Sequence, residues 1–382
     1  GFIQAGIQIK VISGDNPQTV AALVRQAGLP GDFRAVSGPE LAAMDEAAFV
    51  QTAEETTVFG RITPQQKERL VGVLRQRGYY VAMIGDGVND VLSLKKAHLG
   101  IAMNSGSAAA RSVADMVLIH DSFAPLPLAF TEGQRIINGM QDILRLFLTR
   151  ALYVAMLILA TAVMGIGFPY VPKHMTLLTL LTVGIPTFAL AAWARPGAMD
   201  RRLVRSVMHF VFPAAISIFL FGLFVYTLAF GLAYTDFEAS AFEVTPADIN
   251  RFRESAGIDY PINTPEQLTF EVATLAAQTS LTVFTLLAGL VLVVFVEPPA
   301  AWFVGGDVLS SDRRPTALAV GLLLAFIGIM LATPLREFFE LLILPAYAYA
   351  VIALAVVIWA WMLRFAWRHR LLERFLQPDA AD

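Results

Sequence analysis

The run Met83-Ile84-Gly85-Asp86-Gly87-Val88-Asn89-Asp90 places two carboxylates four residues apart among glycines and an Asn. It follows the apolar residues 79–84, which read as a buried strand. Open α/β sheets gather ligands at the carboxyl ends of their strands, so Asp86 should leave the sheet there, with Asp90 one helical turn later. Hard oxygen donors on a glycine-permitted turn suit Mg²⁺, which takes one or two carboxylates together with phosphate oxygens and water. The same residues also make an Asx-type turn that caps a helix, and the run alone leaves both readings open.

Two further groups have the right types and positions for phosphate chemistry. Ser13-Gly14-Asp15-Asn16 follows a β-branched run at residues 7–12 and precedes Pro17, a sound helix start. A hydroxyl and free backbone N–H groups before a helix N-terminus form a phosphate cradle, although S-G-D-N is also a common turn. Lys67 lies one turn into a helix that begins after Thr63-Pro64 and carries Leu70, Val71 and Leu74 on one face. There an ammonium could neutralise a phosphate, or it could remain a solvated surface Lys.

These groups must be positioned by strands at 7–12, 57–60, 79–84, 99–102 and 116–119, alternating with helices; residues 36–55 read as helix and connection. That alternation predicts right-handed βαβ units and a parallel sheet, a Rossmann-like α/β domain over residues 1–130. From Asp121 the pattern changes, and residues 130–150 read as one helix, polar at first and then apolar, a mechanical connection into a membrane.

The whole chain of 382 residues is 56% hydrophobic with a mean hydropathy of +0.61, high for a soluble protein, and the excess lies beyond about residue 145. Six blocks pass the length test for a spanning helix: residues 147–166, 175–193, 207–230, 275–296, 316–333 and 341–365. Residues 131–382 therefore read as a connecting helix and an all-α transmembrane bundle. Arg195, Arg201, Arg202 and Arg205, then Arg313 and Arg314, then Arg364, Arg368, Arg370 and Arg374 mark cytoplasmic segments. The stretch 234–274 holds Asp236, Glu238, Glu243, Asp248, Glu254, Asp259 and Glu266 against Arg251 and Arg253, and is placed outside.

Polar groups within spans mark a pathway or satisfy themselves locally. Thr179, Thr182, Pro186 and Thr187 in the second block and Gln278, Thr279 and Thr282 in the fourth are the candidates. Gly184-Ile185-Pro186 should loosen its helix and free carbonyls for an ion; back-bonding threonines and a packed proline kink are the alternative for Thr179 and Thr182 and the favoured reading for Gln278, Thr279 and Thr282. A net charge of −3 supplies no basic field, which sets nucleic acid aside, and the absence of Cys removes disulfides and thiolate metal sites. The chain starts at Gly1 within what reads as the interior of a fold, so its amino terminus is expected to be a cut edge.

In order along the chain, Ser13 through Asn16, Arg61 through Lys67, Gly85 through Asp90 with Lys95-Lys96-Ala97, and Ala114-Asp115-Met116-Val117-Leu118 resemble the carboxyl-terminal half of a P-type cation-transporting ATPase. The phosphorylation domain of that family belongs to the haloacid dehalogenase superfamily. The resemblance implies that Asp86 binds Mg²⁺ with support from Asp90, and that Asn89 hydrogen-bonds the phosphorylated group. It further implies that Ser13, Gly14 and Asp15 hold phosphoryl oxygens, that Lys67 neutralises them, and that Asp15, Asn16 and Arg61 are cofactor-binding residues for ATP. Thr179, Thr182 and Pro186 become transport-path candidates. The family's phosphorylated aspartate lies in an Asp-Lys-Thr-Gly-Thr run that these residues do not contain. The chain is therefore expected to be inactive by itself and to need an amino-terminal half with nucleotide-binding and actuator domains.

The implied activity is ATP-driven cation transport across a lipid bilayer through an aspartyl-phosphate. Leu-Thr-Val-Gly-Ile-Pro resembles the bacterial cation-transporting ATPase E branch, which implies Ca²⁺ as cargo and a bacterial inner membrane, with the α/β domain and carboxyl terminus cytoplasmic. The competing expectations are a membrane-anchored phosphohydrolase of the same superfamily and a non-catalytic partner subunit.

Overall fold

The structure is a computed structural model that describes residues 2–3, 6–29, 33–197, 203–240, 249, 262, 264–300, 302 and 312–369. The chain divides into two compact units, Gly1–Glu132 and Gly133–Asp382.

In the first unit, strands and helices alternate: β1 Val11–Ile12, α1 Pro17–Gln26, β2 Ala35–Ser37, α2 Gly38–Ala42, α3 Glu46–Glu55, β3 Val58–Gly60 and α4 Pro64–Gln76. There follow β4 Ala82–Gly85, a 3₁₀ turn Val88–Asp90, α5 Val91–Lys96, β5 Leu99–Met103, α6 Ala108–Val113 and β6 Met116–Leu118. All the pairing is parallel, as the alternation predicts, but it forms two three-stranded sheets rather than one, ordered β1-β3-β2 and β4-β5-β6. Among the described residues β1 pairs only with β3 and β4 only with β5, so the two ladders stay separate.

Helices α2, α3 and α4 cover the first sheet, where Leu41, Phe49, Phe59 and Leu70 are buried together, and α1 packs on Val58 through Val20, Ala21 and Val24. Burial of such side chains is worth about 1.5–3 kcal/mol each. Met83, Leu94, Ala102 and Ala110 form the smaller core of the second sheet. The first strand is shorter than residues 7–12, pairing with β3 only at Val11 and Ile12, and just before it the Lys10 ammonium donates to Glu54 O at 2.9 Å in the last turn of α3 and to Thr56 O at 2.8 Å after it. Strand β2 corrects the expectation of helix and connection at 36–55. Its three residues end at Ser37, whose hydroxyl and the Glu40 carboxylate form a capping box that starts α2 directly from the strand.

Six helices are long and apolar enough to cross a membrane, matching the six blocks in order. They are α7 Pro125–Met164, the helix made of α8 Pro172–Leu178, a π-helical segment Thr179–Gly184 and α9 Ile185–Trp193, then α10 Leu203–Ser240, α11 Pro265–Val296, α12 Arg314–Leu331 and, after the short α13 Thr333–Phe338, α14 Ala346–Arg368. Helix α7 includes the residues expected to form the connecting helix. Helix α11 is central: 89% of its apolar window is buried, against 22–39% for the other five. The acidic stretch is shorter than expected, because α10 runs to Ser240 and α11 already starts at Pro265 after the Thr264 cap. Arg201, Arg202, Glu243, Asp248, Arg251, Arg253, Glu254, Asp259, Arg370 and Arg374 lie outside the described residues.

Before α12, Asp312 ties two of the expected cytoplasmic markers together, at 3.0 Å from Arg195 and 2.7 Å from Arg314. The Arg314 hydrogen bonds hold the Asp312 carboxyl well below the usual range, at about 2.

Candidate functional site

The Gly85–Asp90 turn is built around Asp90. Strand β4 ends at Gly85, and the 3₁₀ turn folds the Asp90 carboxylate back beneath the strand end. Its Oδ2 accepts the Gly87 N–H at 3.1 Å and the Asp86 N–H at 3.3 Å, while Oδ1 accepts from the Lys67 ammonium at 2.6 Å. A Cβ on Gly85 would lie 2.6 Å from the Asp90 Cβ, so this close return needs glycine. Asp90 is 5% exposed, and its lysine partner reaches it from α4, 23 residues earlier.

Asp86 has the opposite environment. Its backbone is fixed by a 2.7 Å hydrogen bond from Ser107 N to Asp86 O and by Gly106, where a Cβ would come within 2.7 Å of the same oxygen. Its carboxylate is exposed and makes no hydrogen bond or ion pair among the described residues. The two acidic residues thus divide the work: Asp90 organises the turn, and Asp86 presents a free hard-oxygen donor. Among the described residues no group of three or more His, Cys, Asp and Glu could hold a metal by itself. This donor set fits Mg²⁺, which completes its octahedron with water and phosphate oxygens, and does not make a protein cage of the kind Ca²⁺ or Zn²⁺ uses. The sequence expectation of Asp90 as a metal ligand meets a carboxylate with both oxygens already engaged.

The second group is a self-bonded loop after β1. Ser13 Oγ accepts the Asp15 N–H at 3.1 Å and donates to Asp15 Oδ2 at 3.2 Å, and Asn16 Oδ1 caps α1 by accepting the Gln18 N–H at 2.9 Å. The loop after β3 is stitched to it, with Arg61 N donating to Asp15 O at 2.8 Å and Ile62 N to Ser13 O at 3.1 Å. Arg61 takes a left-handed backbone conformation, φ 51°, an uncommon one for a non-glycine residue, and its side chain is exposed. Gly60 allows Pro17 to pack on the strand end, since a Cβ there would lie 2.5 Å from Pro17 N. Gly14, Asp15 and Asn89 are exposed. Among the described residues no hydrogen bond or ion pair joins the Ser13–Asp15 loop to the Gly85–Asp90 turn, whose long-range link is Lys67–Asp90. Asp115 serves the second sheet, accepting the Gly100 N–H at 2.7 Å.

In the membrane unit, Thr179 is exposed and Thr182 buried, and both bond back into their own helix, to Met175 O at 2.6 Å and Leu178 O at 2.7 Å. Pro186 is buried and starts α9 without an N–H to offer the preceding turn, and the ladder there widens into the π segment. Gln278 donates to Phe168 O at 2.8 Å, Thr282 bonds back to Gln278 O at 2.7 Å, and Thr279 accepts from Leu342 N at 3.3 Å. The residues that sequence reasoning missed are glycines 60, 106 and 289, which make room at strand ends and helix crossings, and Arg150, whose guanidinium reaches Met175 O at 3.0 Å and Thr182 Oγ1 at 3.4 Å.

The class the fold defines is a parallel α/β unit carrying these loops, followed by six helices long and apolar enough to cross a membrane. Residues 2–98 match the family model described as haloacid dehalogenase-like hydrolase. The chain is similar to the calcium-transporting ATPase CtpE of Mycolicibacterium smegmatis, 38% identical over 259 residues, which is 64% of this chain and 32% of that protein. It is 32% identical over 242 residues to the probable cation-transporting ATPase exp7 of Streptococcus pneumoniae, covering 61% and 31%. The endoplasmic reticulum calcium ATPase srcA of Aspergillus fumigatus is 35% identical over 192 residues, covering 49% and 20%. The chain is thus similar to part of several cation-transporting ATPases, and the stretch that matches CtpE of M. smegmatis spans about a third of that protein's length.

Proposed function

We propose that this chain is the carboxyl-terminal part of an ATP-driven cation pump that couples formation and hydrolysis of an aspartyl-phosphate to ion movement across a bacterial inner membrane. The observation that carries the reading is the Gly85–Asp90 turn, where Lys67 and Asp90 are locked at 2.6 Å beside a free Asp86 carboxylate. Asp86 would hold Mg²⁺, whose contribution when bound is to neutralise phosphoryl oxygens. Asp90 and Lys67 fix the turn, and the ammonium adds positive charge next to it. Ser13 would offer its hydroxyl and Gly14 its exposed N–H to the phosphoryl oxygens, with Asp15 holding the loop through its bonds to Ser13 Oγ, while Asn89 adds a side-chain amide and Arg61 and Asn16 flank the nucleotide side.

The phosphorylated aspartate, the nucleotide-binding domain and the actuator domain would come from residues outside these 382, and the chain by itself would not turn over ATP. Splitting hydrolysis through a covalent intermediate lets each half-reaction belong to one membrane conformation. Residues 1–130 would form the phosphorylation-domain part and residues 131–382 the connecting helix and bundle, with the α/β domain and carboxyl terminus cytoplasmic. Ca²⁺ is the favoured cargo because relatives named as calcium-transporting match much of the chain.

The test is ATP hydrolysis and ion uptake by the complete protein in liposomes, screened across Ca²⁺, Mg²⁺, Mn²⁺, Na⁺ and K⁺. One cation should stimulate both activities. Hydrolysis indifferent to every cation, or acid-stable phosphoenzyme formed by this chain alone, would remove the reading.

A further inference from the structure

Residues 147–193 contain no Asp or Glu, and Arg150 is the one charged residue between 147 and 164. A guanidinium within a spanning helix is expensive to bury and is held where polar partners converge. Here the partners are not carboxylates. Nη2 donates to Met175 O at 3.0 Å and Nη1 to Thr182 Oγ1 at 3.4 Å. Met175 O also accepts the Thr179 N–H and, at 2.6 Å, the Thr179 hydroxyl, so the arginine is a third donor on that carbonyl.

The second partner is held from behind. Thr182 is 4% exposed and lies in the π segment, and α11 presses on it at Gly289, where a Cβ would come within 2.7 Å of the Thr182 Cβ. A carbonyl and a hydroxyl, both oxygen acceptors, therefore face one fixed positive group supplied by α7. Carbonyl and hydroxyl oxygens are also the donors that an inorganic cation uses when no carboxylate is at hand.

We propose that Arg150 is a specificity-determining residue of the cation path, a tethered cation that fills the Met175–Thr182 oxygen cluster, so that an inorganic cation enters the cluster only by displacing it. This rests on the reading of these helices as a cation path. A free ion and the guanidinium cannot share the two oxygens, because like charges within one coordination sphere repel. Removing the guanidinium should turn an internally satisfied cluster into a weak cation site.

The test uses the 382-residue chain purified in detergent, with thermal unfolding followed during titration with CaCl₂ and with KCl at constant ionic strength set by choline chloride. Arg150→Gln is expected to reach half-maximal stabilisation by Ca²⁺ or K⁺ at a concentration at least tenfold lower than the unaltered chain, and Thr182→Val added to it should reverse the gain. Arg150→Lys, which keeps a charge but not two diverging donors, is the second variant should Arg150→Gln not fold, with a smaller shift in the same direction expected. Equal titrations in the unaltered chain and the variants, a gain indifferent to Thr182→Val, or no response to either cation in any form would overturn the proposal. The pump reading fails separately, on liposome uptake: loss of uptake with the Arg150→Gln shift retained would remove transport and leave the site.

Discussion

Lys67→Met is the sharpest perturbation of the turn. The ammonium and Asp90 Oδ1 are 2.6 Å apart, with side-chain exposures of 13% and 8%, so the pair is largely removed from water. Removing one partner of such a pair leaves an uncompensated charge, at a cost of about 3–5 kcal/mol for buried pairs. With the residual exposure here, about 3 kcal/mol is expected. The loss falls on a carboxylate that also holds the Asp86 and Gly87 N–H groups, so the turn should open locally rather than the whole chain unfold. At about 1.4 kcal/mol per tenfold, amide exchange across residues 82–96 should speed up by about 100-fold in hydrogen exchange followed by mass spectrometry. Adding Asp90→Asn removes the stranded charge while keeping an acceptor for the two amides, and should bring exchange back to within about tenfold of the unaltered chain. Unchanged protection in Lys67→Met, or no recovery in the double variant, would refute the buried-pair reasoning.

Gly85→Ala puts a methyl 2.6 Å from the Asp90 Cβ, a stem that cannot swing aside; a cost of about 1–3 kcal/mol and faster exchange over the same residues are expected. Gly289→Ala meets Thr182 at 2.7 Å and should lower the melting temperature of the chain in detergent, whereas Gly321→Ala, with open space at its Cβ, should not. The Asp312 carboxyl, held at about 2 by Arg314 against an ordinary 3.8, stabilises its cluster at and above that ordinary value and loses this as pH falls toward 2. Arg314 stacks over Trp193, 5.3 Å from the ring, so tryptophan emission should step in that acid window and the step should be absent in Asp312→Asn.

Much of the architecture was legible because it is periodic. Strand–helix alternation gave the parallel α/β unit, and six apolar runs gave six candidate spans. Local chemistry was legible too: Asn16 before Pro17 and Thr63 before Pro64 cap helices where the sequence put their starts. What escaped depends on partners far along the chain. Strand β2 is three residues long and has no alternation of its own; its place comes from pairing with β3. The division of roles between Asp86 and Asp90 could not be read from their spacing, since it follows from a lysine 23 residues away and from glycines that decide which carboxylate turns inward. Arg150 was passed over because an arginine near the start of an apolar block looks like a boundary residue, and only the packing of the second span brings Met175 and Thr182 to it.

The most direct measurement is Mg²⁺-dependent formation of acid-stable phosphoenzyme from labelled ATP by the complete protein, with and without Asp86→Asn. Loss of phosphoenzyme is expected, because the substitution removes the free carboxylate of the turn while leaving the Lys67–Asp90 pair in place. Phosphoenzyme at near the unaltered level in Asp86→Asn would contradict the assignment of this turn as the Mg²⁺ side of a phosphoryl-transfer site.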